Sequence, residues 1–500
     1  MTKLYYPALL RMRVSRLLLT SGLLMLVLAG CAVTPEYKRP AVDVPAAFKE
    51  ASLSPEAARR WKAAQPAEAM SRGQWWLVFG DEALNRLEEQ AMSANQNLKA
   101  AAARLAQARA MQRDVESARY PTVDAGFGPT RQRASNASQG LDEDAHNPPS
   151  TLWRAQTTVS YEADLFGRVS AAVDAATADA QQSAALFQSV RLALQADVAQ
   201  AHFLIRRLDA EAALFRDTVA LRRQTLDLVQ RRFDAGAISE LDLARARTEY
   251  ASAQSQSLAV ERRRAAAEHA LAILLGRPPA SFAAAPAPLD RVTLSIPAGL
   301  PSSLLERRPD IAAAERAMAA ANARVGVAKA AFFPRLTLTG AFGYESSQIG
   351  DLLQWSSRSF ILGPLVGTVL SLPIFDGGQR DARLAQAKAR YEEDVARYRQ
   401  AVLTAFREVE DGLSGLRILG EQAGVQDEAV ASAERAAQLS RVQYRAGDAG
   451  YLDVIDADRA VLQQKRAAVA LNGERAQAAV ALIRALGGGW ENASAQPAPA

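Results

Sequence analysis

Five hundred residues, 49% of them hydrophobic, would suit two to four globular domains, but only 6% are aromatic. That balance, with heavy alanine use, favours long helices packed through small side chains over a thick aromatic core. The formal charge is +5, yet Lys3, Arg11, Arg13 and Arg16 precede the expected cleavage site with no acid among them. The mature chain is left at +1, which gives nucleic-acid binding no electrostatic support.

Residues 1–30 read as a secretory signal peptide: a basic start, an apolar stretch from Leu17 to Leu28, then Leu28-Ala29-Gly30-Cys31. Its end resembles a bacterial lipobox, so Cys31 is expected to become the lipidated N-terminus. Cys31 is the only cysteine, and no disulfide can form within the chain. At about 0.8 kcal/mol per buried methylene, several acyl chains would make a permanent anchor. Ala32 stands where inner-membrane lipoproteins often carry aspartate, and resemblance to lipoproteins therefore favours the outer membrane.

Residues 31–80 form a Pro- and Ala-rich arm with little periodicity before Trp75-Trp76. Residues 81–275 read as a first structural repeat. Helical signal from Asp81 to Arg119 stops at Tyr120-Pro121. From Thr151 to Leu165 apolar and polar residues alternate with period two, long enough for a strand that crosses a membrane. A half-buried strand in a soluble sandwich would alternate too. A helix is predicted from about Ser170 to Ala235, which at 1.5 Å per residue would extend about 100 Å. Along it Val190, Leu194, Val198, Ala201, Ile205, Leu208, Ala212, Phe215 and Val219 recur at spacings of three and four, a coiled-coil seam. Gly236 breaks it, and a second helix returns from Ile238 to Leu275.

Residues 276–301 are a Pro-rich linker, residues 302–486 a second repeat and residues 487–500 a tail predicted to be disordered. Phe333-Pro334 repeats the helix-to-strand stop. Alternation returns at Leu336, Leu338, Phe342 and Tyr344, then at Phe360, Leu362, Val366, Leu370 and Leu372. Phe233-Asp-Ala-Gly236 followed by Leu241-Asp242 recurs as Tyr444-Arg-Ala-Gly447 followed by Leu452-Asp453. Each copy thus contributes one long β-hairpin and one antiparallel helical hairpin, an internal duplication with an offset of about 210 residues. Four membrane strands cannot close a barrel, and an open edge in lipid costs several kcal/mol per unpaired group, so the chain must oligomerise to insert. Two copies give eight strands, whose interior side chains fill; three give twelve and begin to leave a passage.

The chain resembles the outer-membrane factor family, the TolC- and OprM-like channels of tripartite efflux systems, and in particular their lipoprotein branch. The resemblance rests on LAGC, on WWLVFGDEALNRLEEQA (Trp75 to Ala91), ERRPDIAAAE (Glu306 to Glu315) and AFFPRLTLTG (Ala331 to Gly340). LPIFDGGQR (Leu372 to Arg380) and YRAGDAGYLDVIDA (Tyr444 to Ala457) complete it. It implies an α+β membrane protein: a homotrimer with a twelve-stranded outer-membrane β-barrel, four strands per chain, continued by a long periplasmic α-helical barrel. It also implies a passive exit duct for small molecules, joined by a periplasmic adaptor to an inner-membrane pump, of the resistance-nodulation-division type. Rival readings are a periplasmic coiled-coil scaffold lipoprotein, which leaves the alternating hairpins unexplained, and the exit channel of a type I protein secretion system.

No catalytic, cofactor or metal site is expected. His146, His202 and His269 are far apart, without cysteine or carboxylate at ligand spacing, and His202 reads as a packed or solvent-facing residue. Gly377-Gly378 lacks the remainder of a phosphate loop and suits a strand-to-helix turn. By resemblance, Leu452, Asp453 and Asp456 form a narrow periplasmic aperture, and Tyr444, Asp242 and Arg459 hold it shut. The bland reading of these carboxylates is helix N-terminal placement, favoured by the macrodipole by about 0.3 to 1 kcal/mol each. Three chains would bring the aspartates into a ring, where like charges about 6 Å apart repel by about 0.7 kcal/mol per pair even in water. Ala449 stands where some relatives place a basic gate partner, with Arg445 a candidate substitute. The turns around Gly236 and Ser239, and around Gly447 and Gly450, are either adaptor-docking sites or simple caps.

Overall fold

In the computed structural model the described residues are 33, 35–45, 48–50, 74–289, 307–361 and 368–488. Cys31, Leu362 and Val366 lie outside them, as does most of the tail. The elements, in order, are α1 (Glu82–Ala94), α2 (Gln96–Ser117), β1 (Thr122–Gln132), β2 (Ser150–Ala163), α3 (Arg168–Asp234) and α4 (Glu240–Leu274). After the linker come α5 (Pro309–Ala330), β3 (Arg335–Ser346), β4 (Arg358–Ile361), β5 (Thr368–Ser371), α6 (Gln379–Ala446) and α7 (Tyr451–Ala485). The long helices α3 and α6 have 67 and 68 residues, and α4 and α7 have 35 each. Among the described residues no helix is long and apolar enough to cross a membrane.

Two compact units divide the chain. One holds Met1–Pro40, Ala106–Gln182 and Ala314–Tyr398; the other holds Ala41–Leu105, Ser183–Ala313 and Arg399–Ala500.

The first unit carries an antiparallel sheet in the order β1-β2-β3-β4, with β5 also paired to β3. β4 meets Ala341 to Tyr344 and β5 meets Arg335 to Leu338, so the two lie along one edge of β3 and together fill the place of the fourth strand. Period-two geometry then sorts the side chains. One face carries Val123, Phe127, Trp153, Val159 and Tyr161, with Leu336, Leu338 and Phe342 from β3, Phe360 from β4 and Leu370 from β5. The other carries Asp124, Arg154, Gln156, Ser160, Glu162, Thr337 and Glu345. Phe127 stacks on Trp153 across the pair, with ring centroids 6.0 Å apart.

Gly343 is required by close approach: a Cβ there would lie 2.2 Å from the carbonyl oxygen of Ala155. Asp376 turns the sheet into α6, its carboxylate accepting the N–H groups of Gly378 and Arg380 at 3.1 and 3.2 Å. This is the strand-to-helix turn expected from Gly377-Gly378, both of which have positive φ. The N-terminal arm is fixed to α5 and α6: Tyr37 donates its hydroxyl to Glu315 at 2.6 Å, and Asn322 donates to the carbonyl of Pro35 at 3.0 Å. Arg39 donates to the Tyr398 hydroxyl at 2.9 Å.

The core of the second unit lies along the predicted seam. Leu194, Val198, Ile205, Leu208, Ala212 and Phe215 are buried, with Val190 and Ala201 packed beside them. Trp75, Trp76, Leu84, Val260, Leu271, Val480 and Ile483 complete this cluster. Fully burying a leucine or isoleucine contributes about 1.5–3 kcal/mol, so each of the seam's large apolar residues is a substantial share of a typical net stability. His202 is buried as well, its Nε2 2.7 Å from the Asp81 carboxylate. Asp81 also caps α1 by accepting the N–H groups of Ala83 and Leu84 at 2.8 and 3.0 Å. The His202 contact holds the Asp81 carboxyl well below the usual range against the opposing effect of burial, helped by Leu84 and Arg206. The cap therefore stabilises above the ordinary carboxylate pKa and is lost only under strong acid.

The ERRPDI motif is a clamp. Arg308, buried, donates to Asp310 at 2.7 Å, to Glu408 on α6 at 2.6 Å and to the carbonyl of Ala485 at 3.0 Å. It thereby satisfies a terminal carbonyl of α7 and fixes the start of α5. Burial opposes the charge of Asp310, but Arg308 more than offsets it and keeps the carboxyl below its ordinary range.

Glu88 is fully buried on α1, and neither carboxylate oxygen has a protein partner. Burial pushes its carboxyl up from 4.5 to about 9, so it is a neutral acid at pH 7. A raised carboxyl binds its proton more tightly in the folded state, and stability falls as pH rises from about 4.5 toward about 9. Glu88→Gln is expected to remove that component, about 3 kcal/mol between pH 4 and pH 7, in thermal melts of the detergent-solubilised protein. Equal pH dependence in both proteins would contradict this.

Candidate functional site

The tips of the two helical hairpins, both in the second unit, gather the polar residues singled out in the sequence. Their turns are built alike. Gly236 and Gly447 have φ of 72° and 89°, which disfavours a side chain there although nothing occupies the space a Cβ would take. In each turn the residue after the glycine donates back to the helix, Ala237 to the carbonyl of Arg232 and Asp448 to that of Gln443, both at 2.9 Å. That is a Schellman-type end. Ser239 caps α4, its hydroxyl accepting the N–H of Asp242 at 3.3 Å and donating to the Asp242 carboxylate at 3.0 Å. At the start of α7, Asp453 accepts the N–H of Gly450 at 2.9 Å.

Asp242 makes its contacts locally, with Ser239 and with Arg245 at 3.5 Å. Asp456 pairs with Arg459 at 3.2 Å, and Leu452 is 43% exposed. Tyr444 bridges the hairpins: its hydroxyl accepts from Arg232 at 3.2 Å and its ring lies under that guanidinium. Tyr451 packs against Tyr444 with centroids 5.7 Å apart, and burial pushes its phenol up to about 12. Around them Val229, Leu243, Ala246, Val454 and Ile455 form a small apolar cluster that both hairpins share.

A chain of alternating charges lies farther along the same helices. Arg459 on α7 donates to Glu249 on α4, with nitrogens 2.9 and 2.5 Å from one carboxylate oxygen. Arg222 on α3, its side chain only 5% exposed, lies 3.5 Å from Glu249 and 3.7 Å from Asp458. Asp458 on α7 in turn accepts from Arg441 on α6 at 2.7 Å. The order Arg459, Glu249, Arg222, Asp458, Arg441 runs through all four helices of the two hairpins. Glu249 and Asp458 are each shared by two arginines, so neither acid is buried unpaired. A cavity of about 370 Å³ lined by Arg222, Glu434, Arg441, Asp458 and Lys465 adjoins it, giving water a place beside the ion pairs.

Of the residues named from the sequence, Tyr444, Arg459 and Asp456 thus join or flank the contacts between hairpins, whereas Asp242 bonds within its own. Arg222, Glu249, Asp458 and Arg441 escaped sequence reasoning, because they carry no local motif and look like the solvated face of long helices. The signal available was the low exposure that three of them share, which only the packing reveals. No group of His, Cys, Asp and Glu suited to a metal ion occurs among the described residues.

The outer membrane efflux protein family matches residues 87–277 and again residues 300–488. The outer membrane protein OprJ of Pseudomonas aeruginosa is 34% identical over 474 residues, 94% of this chain and 95% of that protein. The toluene efflux pump outer membrane protein TtgF of Pseudomonas putida is 33% identical over 478 residues, covering 95% and 97%. Among solved structures, the open state of the Neisseria gonorrhoeae MtrE outer membrane channel superposes with a TM-score of 0.77 at 30% identity, over 92% of this chain and 98% of that one. With both halves matched and the similarity running through nearly the whole length, the chain is a member of the outer membrane efflux protein family, a transport component of the outer membrane.

Proposed function

We propose that three copies of this chain close a twelve-stranded barrel in the outer membrane and continue it as a periplasmic helical barrel. The duct is passive, sealed at its hairpin tips and opened by an adaptor that links it to a resistance-nodulation-division pump. The observation that carries this reading is the sheet. β1 and the β4/β5 line each have one neighbour among the described residues, on a sheet with one apolar and one polar face. Two such edges in lipid leave backbone groups unpaired, and only a closed ring of copies satisfies them. Lipidation at Cys31 would add a second hold on the membrane, and the turns at Gly236, Ser239, Gly447 and Gly450 would receive the adaptor. The charge chain from Arg459 to Arg441 keeps the two hairpins of each chain together when the duct is closed.

Mass measurement of the detergent-solubilised protein tests the assembly: a trimer is expected, and a monomer that retains its strands contradicts it. Asp453→Ala with Asp456→Ala is expected to reduce cation selectivity in planar bilayers, because the substitution removes six carboxylates from a trimeric aperture. An unchanged reversal potential would remove the aspartate ring.

A further inference from the structure

The polar face of the sheet is uneven. On β2, Arg154 is flanked by Gly128 on β1 and Glu345 on β3, and Gln156 by Gly126 on β1 and Gly343 on β3. Glycine on β1 beside Arg154, and on both neighbours beside Gln156, leaves room around these two long side chains. Arg154 donates its Nε to Glu345 at 3.2 Å, and each side chain is 36% exposed. Gln156 reaches past Gly343 to the Ser359 hydroxyl at 3.1 Å. β2 begins at Ser150 after the 133–149 loop and leads into α3, so this rung lies toward the loop end, far from the helices. The pair is neutral, part-exposed and directly opposed in register. It belongs to the face away from Phe127, Trp153, Phe342 and Phe360, the face that a closed barrel turns inward.

We propose that the Arg154–Glu345 pair is a charge-balancing ring of the duct near its outer mouth, keeping the barrel indifferent between cationic and anionic solutes. The proposal rests on the trimeric-barrel reading above. In a ring of three chains the six charges alternate and cancel, and the intact mouth favours neither sign. Removing either partner leaves three like charges facing the lumen, where substitutions tune selectivity.

The test is the reversal potential in a potassium chloride gradient, measured in a background that relaxes the hairpin tips, Glu249→Gln with Asp458→Asn. Glu345→Gln is expected to move it toward the chloride potential and Arg154→Gln toward the potassium potential. The double variant is expected to return it to the background value. Either single variant reads the proposal by itself. Shifts of both singles in the same direction, or none in pores that conduct, would assign the pair to clamping β2 on β3 and overturn the proposal. A background that carries no current overturns the duct reading, and the ring with it.

Discussion

Glu249→Gln combined with Asp458→Asn is expected to unseal the protein. Each change neutralises an acid shared by two arginines, and together they leave Arg222, 5% exposed, with no carboxylate among its present partners. Removing the partners of a buried charge is strongly destabilising for the arrangement that buries it. A loss of about 2 to 3 kcal/mol from the closed arrangement would shift its ratio to the open one by a factor of roughly 30 to 150. The arginine can escape this penalty by separating the hairpins and reaching water, for which the adjoining cavity already gives a start. Cells making the double variant should become sensitive to a large hydrophilic antibiotic that the outer membrane otherwise excludes. The same kind of substitution pair at two exposed acids of α6, Glu392→Gln with Asp381→Asn, is the control, and equal sensitivity of the two would count against the charge chain. A variant that assembles normally and stays impermeable would contradict the charge chain as the seal, and the duct reading with it.

Arg308→Ala should have the largest effect on stability. Arg308 serves two carboxylates and a helix-terminal carbonyl at once, and nothing else among its contacts can replace it. Its acid partners are about 40% exposed, so water recovers part of their solvation, and the expected cost is about 3 kcal/mol rather than the full penalty of a buried pair. The start of α5 and the end of α7 would both loosen, which should appear as a fall in assembled protein in the outer membrane and as faster amide exchange at these two helix ends. Arg308→Lys keeps the charge but cannot fork between two carboxylates and a carbonyl, so an intermediate loss is expected. Wild-type levels of assembled Arg308→Ala protein would refute the clamp.

These two sites differ in how far they were legible beforehand. Arg308 lies in a motif that draws attention, although its partners Glu408 and Ala485 are 100 and 177 residues away and no spacing rule points to them. The sheet was readable because alternation at period two is a local signal: the expected strand over Thr151 to Leu165 lies within two residues of the observed Ser150–Ala163. The seam on α3 was readable for the same reason, since spacings of three and four report burial directly. The fourth strand was readable at its two ends, Phe360 and Leu370, which lie in β4 and β5 along one edge of β3, while Leu362 and Val366 lie outside the described residues.

At the tips, glycines and first-turn acids marked the turns, as they do in any helical hairpin. The charge chain was hidden for a physical reason. Glu249 and Arg459 are 210 residues apart, and their pairing depends on which faces of four long helices meet. Asp242 was conspicuous through its repeat partner Asp453, yet its side chain is spent on Ser239 and Arg245. Glu88 is the opposite case. Its surroundings in sequence, Glu82, Arg86 and Glu89, read as a solvated stripe, and only the fold shows it to be buried without a partner.

The central claim is that this chain forms a conducting duct held shut by contacts between its helical hairpins. Single-channel recording in planar bilayers, comparing the purified mature protein with Glu249→Gln/Asp458→Asn, tests it most directly. Rare, small steps are expected from the native protein and frequent, severalfold larger ones from the variant. Well-assembled oligomers that give identical conductance with and without the substitutions, or none in either form, would contradict it.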